Sequence, residues 1–494
     1  MADLAFPYLT AAVALPLAGA ALAAANETRA RMVSMAAAAG ATLSSLGAFL
    51  AVERAGGGRL DEPWGLSLFS ADPLNATFLL LYSLLTLGIL VLAPRRDATS
   101  KINAATLLVL AATLAAYGAD NVVVLAIGWV VSALPFIAGP FHGTWRPRVG
   151  LMLSCLALVG ALGIIANAAM TDRSAHPLSL AALQGHNYGG AAAFAMLMAA
   201  IVFRKGIFPA HAWIEDAAEA GPVLPFCLFL NGHLGAFLLA RVVIPEFPLS
   251  ARGAFPILAD LALFTALYAA VRAVAEGSAR RILALLVLSQ SACILAGLES
   301  ATQEGITGAL VHCIVVAAAT TGLFSVLRLM EVRFGRSFTA AEYLGLARYT
   351  PRLAALFAVC GLALVGLPGT LGFCSEDLLI HGTLVSHPQI GLLLPVATAM
   401  NAVSLFRLFS KIFLGARAGA VYGVTDAAPR ERWVLAAIAL FLVVAGLTPA
   451  TIVGFRTPAA QAAQAPAHET AGGPLPATPH GAILAEACPA GTCP

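Results

Sequence analysis

Long apolar runs separated by short polar ones organise this chain from end to end. They fall near residues 8–25, 31–52, 73–93, 102–119, 121–139, 149–170, 190–208, 222–244, 255–275, 281–299, 305–328, 352–384, 388–414 and 432–455. Runs of about 18 residues or more have the length of a helix crossing hydrocarbon. A backbone exposed to lipid must satisfy its own N–H and C=O groups, and a helix does so within one segment. The pattern therefore predicts an all-α membrane protein with about fourteen transmembrane helices. Spans 4 and 5 are divided only by the polar turn Gly118-Ala119-Asp120-Asn121.

Two of these spans are interrupted. The seventh reads MLMAAIVFRKGIFPAHAW, with Gly206 and Pro209 beside Lys205. The twelfth reads CGLALVGLPGTLGFCSEDLL, with Gly366, Pro368, Gly369 and Gly372 just before Glu376. Proline removes a backbone donor and clashes with the preceding turn. Such a break survives in a bilayer only where protein buries it or it lines a hydrated cavity. The breaks lie five spans apart, and an odd offset reverses the second copy. Spans 4–8 and 9–13 are thus read as two inverted five-helix repeats, an architecture that places ion sites at discontinuous helices. The division that follows is 1–101 for helices 1–3, 102–250 and 251–415 for the repeats, and 416–456 for helix 14. Residues 457–494, rich in Pro, Ala and Gly, are expected to form a disordered external tail.

Composition supports lipid as the solvent. Hydrophobic residues make up 60% of the 494 positions and charged ones 11%, against about 25% charged in a soluble domain. A net charge of +3, scattered along the chain, argues against a nucleic-acid partner. Basic residues gather after the odd spans, among them Arg29, Arg31, Arg95, Arg96, Lys101, Arg146, Arg148, Arg280, Arg281, Arg333, Arg336 and Arg417. Arg54 and Arg59 are the exceptions. The positive-inside rule then puts the odd loops in the cytoplasm and both termini outside, in a cell (inner) membrane. The start, MADLAFPYLT, has no basic n-region and is read as leading into the first span rather than as a leader. Cys155, Cys227, Cys293, Cys313, Cys360 and Cys374 stand singly in apolar runs and pack as small hydrophobes. No C-x-x-C run points to zinc or an iron–sulfur cluster. Cys488 and Cys493 pair or stay free according to the redox state around the tail.

A charge at mid-membrane costs roughly 2.5–3.5 kcal/mol on insertion scales, so those retained there need a partner, water or a task. Lys205 leads, because burial disfavours a charged amine and lets it exchange a proton as hydration changes; the alternative is snorkelling. Glu376, with Asp377, occupies the matching break as a proton terminal or as a simple helix N-terminal charge. His312, in span 11, and His233, beside Asn231 in span 8, are each a relay or a helix–helix hydrogen-bonding group. Arg407 lies inside span 13, and Lys411, one turn on, snorkels. The loop WIEDAAEAGP carries Glu215, Asp216 and Glu219. With His211, these are either solvated groups or modulators of Lys205.

The run from Lys205 through Pro209, His211, Trp213, Asp216 and Glu219 resembles a K-x-x-x-P-x-H-x-W…D-A-x-E-A signature. Its owners are the proton-conducting antiporter-like subunits of respiratory complex I and of Mrp cation/proton antiporters. Ala279-Arg-Arg-Ile-Leu-Ala284 with Ser289-Gln290, the stretch from Gly366 to Asp377, and Phe406-Arg407 are further matches. The resemblance covers roughly residues 70–415. It implies a fourteen-helix core, a central Lys205, a terminal Glu376, membrane-subunit partners and no cofactor or redox centre in this chain. Val130, Leu228, Val316 and Thr320 stand where the family carries a carboxylate, two histidines and a lysine. The function implied is proton translocation within a complex-I- or Mrp-type assembly. The alternatives are an inorganic-carbon uptake subunit with a soluble zinc-containing partner, or a non-conducting structural homologue.

Overall fold

In a computed structural model the described residues are 2–4, 6–63, 68–141, 143–415 and 424–469, and most of them are helical. The helices run α1 (Tyr8–Ala25), α2 (Ala30–Arg54), α3 (Pro73–Leu92), α4 (Ser100–Gly118), α5 (Val122–Ile137), α6 (Trp145–Thr171) and α7 (Leu180–Leu183). The first broken span follows as α8 (Gly190–Lys205) and α9 (Ala212–Ala220). Next come α10 (Val223–Asn231), α11 (Leu234–Leu238), a π-helical turn (Leu239–Val243) and α12 (Ile244–Glu246). The second half contains α13 (Pro248–Ala275), α14 (Ala279–Glu299), α15 (Gln303–Phe334), α16 (Pro351–Leu364), α17 (Leu371–Ser386) and α18 (Pro388–Phe413). The chain ends in α19 (Pro429–Leu447) and α20 (Pro449–Glu469). Three two-residue strands, β1 (Ala2–Asp3), β2 (Leu60–Asp61) and β3 (Ser70–Ala71), form a small sheet in that order.

Polar residues at the ends set the boundaries. Asp72 caps α3 by accepting from the backbone of Leu74 and Asn75, while the Asn75 side chain returns a bond to Asp72 N. Asn121 caps α5, so the short turn after Gly118 divides α4 from α5 as the pattern predicts. Packing sorts the helices into layers. The apolar windows of α14, α15 and the segment Val223–Glu246 are buried throughout, whereas only 33% of the window is buried in α2 and in α18. Helices on the outside present their apolar faces to lipid, and the buried three form the axis that carries the polar groups.

Among the described residues, ten helices are long and apolar enough to cross a membrane, or eleven if a bent pair counts as one. The expectation of about fourteen is larger: α5 and α16 are apolar but fall below spanning length, and α16 is one half of a broken run. The seventh and twelfth runs are broken where Gly and Pro predict it. Gly206 (φ 67°) ends α8, and Gly366 (φ 69°) follows α16. The fourteenth run departs from the expectation of one span over 432–455. It bends by 83° after Leu447, where Thr448 leaves the helix and Pro449 starts a new one. Helix α20 then packs on α15, α12 and α3, so residues 457–469 are helical where the composition predicts a disordered tail. Arg417, Cys488 and Cys493 lie outside the described residues.

Candidate functional site

Lys205 is the last residue of α8, and the break after it turns the backbone away while the side chain continues into the core. It is 6% exposed. Its Nζ lies 3.0 Å from His233 Nδ1 and donates to Ser291 Oγ at 3.0 Å. The stem passes close over Gly235, where an added Cβ would sit 2.5 Å from Lys205 Cγ. Lys205, His233 and Ser291 line a cavity of about 10 Å³ together with Arg204 and Phe229, room for a single water.

His233 reaches Lys205 through a second break that the sequence pattern does not announce. It adopts a left-handed conformation (φ 44°) between α10 and α11, uncommon outside glycine and more accessible to Asn, Asp and His than to other residues. The family resemblance puts Leu228 at the histidine position, but this turn brings a histidine to the lysine five residues later. With Nδ1 accepting from Lys205, its proton is on Nε2, which has no partner among the described residues.

Helix α14 carries the line onward. Beside Ser291, Gln290 accepts from His312 Nε2 at 2.8 Å and donates to Leu364 O at 3.2 Å. The His312 Nδ1 atom lies 2.9 Å from Ser375 Oγ. Ser375 precedes Glu376, whose Oε1 accepts from Thr398 at 3.3 Å. Gln290 and Glu376 line one small cavity of about 10 Å³. Gly366 lies against the Glu376 carboxylate, and a Cβ there would collide with Oε2. Through two adjacent residues α14 thus bonds Lys205 on one side and His312 on another, with Glu376 beyond.

The remaining candidates lie elsewhere. The α9 region carries three acids, Glu215, Asp216 and Glu219. Asp216 pairs with Arg146 at 3.3 Å, and Glu215 with Arg272 at 3.0 Å. Glu219 accepts from Ser278 at 2.6 Å and lies 3.7 Å from Arg281. His211 Nε2 lies 3.0 Å from Tyr268 Oη. None of Asp216, Glu219 and His211 contacts Lys205: the lysine points inward to α14, and these groups meet arginines and hydroxyls of neighbouring helices. Asp377 is exposed beside His381. Arg407 donates to the carbonyls of Val274 and Glu276, tying α18 to the end of α13. Val316 is buried, and Thr320 donates to Asn231 Oδ1 at 2.9 Å, so an uncharged Asn–Thr cluster occupies that region.

Arg204 is not among the residues that the sequence singles out. It is 5% exposed, sits 4.4 Å over the Trp129 ring and 4.6 Å over that of Phe229, and donates to Trp129 O and Ser132 Oγ. Rings and neutral acceptors hold this cation where the family has a carboxylate beside Trp129.

Known proteins are similar to this chain in sequence and in fold. NADH-quinone oxidoreductase subunit M of Mycobacterium tuberculosis is 27% identical over 272 residues, 55% of this chain and 49% of the relative. Subunit 13 of the Thermus thermophilus NADH-quinone oxidoreductase is 30% identical over 289 residues, 55% of this chain and 60% of the relative. The alignments thus span about half the length of these relatives. A chain of respiratory complex I from Thermus thermophilus with bound NADH superposes with a TM-score of 0.82 at 25% identity, over 93% of this chain and 99% of that one. A chain of the Mrp complex from Dietzia sp. DQ12-45-1b shares the fold, with a TM-score of 0.79 at 21% identity over 92% and 96%. The family model described as NADH:quinone oxidoreductase/Mrp antiporter, TM matches residues 147–401, the segment that holds Lys205, His233, Gln290, His312 and Glu376, and the chain belongs to that family.

Proposed function

We propose that this chain is a proton-translocating membrane subunit of a larger complex-I- or Mrp-type assembly. The observation that carries the reading is the α14 bridge: Ser291 bonds Lys205 and Gln290 bonds His312. Protons move between Lys205 and Glu376 through His233, His312 and cavity water, with Lys205 and Glu376 as the ionisable ends. The two ends belong to inverted repeats, spans 4–8 and 9–13 of fourteen, with both termini outside. Motion of one charge through a ~100 mV potential supplies about 2.3 kcal/mol, which the assembly couples to its partner reaction. The respiratory and antiporter matches favour this over carbon uptake with a zinc-containing partner. Reconstituting the full chain with its native membrane partners and measuring proton flux tests it. Lys205→Ala is expected to lower flux at least tenfold, and undiminished coupled flux in that variant would refute the path.

A further inference from the structure

The line from Lys205 to Glu376 leaves a second group of buried charges unused, at the far end of span 8. From His233 the chain runs 13 residues to Glu246, about 20 Å at 1.5 Å per residue. On the way it passes through the π-helical turn Leu239–Val243, which contains Arg241. Single π-turns inside α-helices recur at functional sites. Here the turn opens onto a cavity of about 320 Å³ lined by Arg59, Asp72, Gln184 and Arg241, with Pro458 and Ala459 of α20 as one wall. Arg241 and Gln184 also line a smaller cavity of about 10 Å³ with Glu246, so the two adjoin. The outer rim is the loop after α2, where Gly56 and Gly58 are exposed.

The ion pairing around these cavities singles out one group. Arg241 pairs with Asp72, and Arg59 pairs with Asp61 at 3.1 Å and Asp120 at 2.9 Å. Arg456 of α20, the helix packed on α12, turns to the carbonyls of Pro73 and Leu74. Tyr188, from the loop before α8, bonds Asp172 through its hydroxyl. Glu246 is 3% exposed and forms no ion pair among the described residues: Oε1 accepts from Tyr188 N at 2.8 Å, and Oε2 has no partner among them. Asp120 Oδ1 and Arg241 Nε are likewise unpartnered. An orphaned buried polar atom costs about 1–3 kcal/mol, so Arg241, on both cavities, and Glu246, on the smaller one, call for water there. At about 30 Å³ per molecule the larger cavity has room for on the order of ten waters.

We propose that this is a hydrated ion mouth for the first repeat and that Glu246 is its proton-exchanging group. The inference rests on the proton-path reading above and adds a site to it. Oε2 takes a proton from hydronium in the cavity, one O–H forming as the hydronium O–H breaks to leave water, and then gives that proton to a water on the inner side, which becomes hydronium as the carboxylate is restored. Protonating Glu246 breaks no ion pair, unlike protonating Asp61, Asp72 or Asp120. The rings of Phe78, Tyr117 and Phe237 pack on one another as an aromatic group. The Tyr117 hydroxyl donates to Gly232 O, in the residue before His233. By the positive-inside reading this end faces outward.

Two measurements on the full chain in its native assembly test the proposal. Dicyclohexylcarbodiimide, which attacks protonated carboxyls in apolar surroundings, is expected to modify Glu246 in the unmutated protein; no adduct on peptides containing Glu246 overturns the assignment and needs no folded variant. In proteoliposomes Glu246→Gln is expected to lower proton flux about tenfold and Glu246→Asp to restore most of it. Full flux in Glu246→Gln while Lys205→Ala is silent overturns the Glu246 assignment alone. Full flux in Lys205→Ala refutes the underlying path, and this inference with it.

Discussion

Lys205 and Gln290 show how much a single side chain does here. Gln290 saturates His312 and the Leu364 carbonyl at once. Gln290→Leu leaves both unsatisfied in a buried site, at about 1–3 kcal/mol each. We expect a clear fall in the thermal midpoint of the solubilised protein and a loss of flux comparable to Lys205→Ala; an unchanged midpoint with full flux would count against the bridge. At Gly235 the constraint is steric, since a methyl group meets the Lys205 stem. Gly235→Ala should therefore cut flux severalfold while the chain still assembles, read by flux per assembled subunit. Lys205 and Glu376 are legible in the sequence because an ionisable residue beside a Gly/Pro break stands out against apolar surroundings. Arg204 is not, because its partners, the Trp129 and Phe229 rings, are distant in sequence and are not acids.

At the level of elements the breaks position the chemistry. Gly206 holds a left-handed conformation, and an added Cβ would run into Ile214. Left-handed geometry costs about 1–2 kcal/mol for other residues. Gly206→Ala is expected to destabilise by at least that amount in denaturation of the solubilised protein. The break in span 8 makes a sharper comparison. His233→Asn keeps a residue that tolerates the left-handed turn, whereas His233→Val puts a β-branched side chain there. The Asn variant should assemble with altered flux and the Val variant should assemble poorly, measured by yield of intact complex. Equal yields would show that the turn places little demand on this residue. That break is hidden because LNGHLGAF has no proline and the turn falls on histidine; Gly206 and Pro209 declare the other one openly.

Across the whole molecule, one end is held by ion pairs that cross helices. Glu331, 1% exposed, accepts from Arg280 at 2.8 Å and Arg328 at 3.0 Å, and Arg328 also holds Asp97 at 2.6 Å. Removing one partner of a buried pair leaves uncompensated charge and costs about 3–5 kcal/mol. Glu331→Ala should thus destabilise the solubilised protein far more than Glu342→Ala, whose pair with Arg336 is exposed. At the other end Arg456 fastens α20 to the start of α3. Arg456→Leu is expected to speed hydrogen exchange in α20 and around residues 73–75, with little change in α14.

The sequence by itself determined the solvent, the helical class and two of the breaks, because hydrophobic run length and Gly/Pro placement act locally. It also marked Lys205, Glu376, His312 and His233 as charges or histidines that a bilayer must accommodate. Only the tertiary structure decided which of them meet. Ser291 and Gln290 are adjacent on α14, yet they reach Lys205 and His312 from two different helices, and no local pattern encodes that. The same holds for Asp216, Glu219 and His211, which sit near Lys205 in sequence but are drawn to Arg146, Arg281 and Tyr268 once the helices pack. Burial sets the cost of an unpaired polar group, so packing rather than sequence spacing selects the partners.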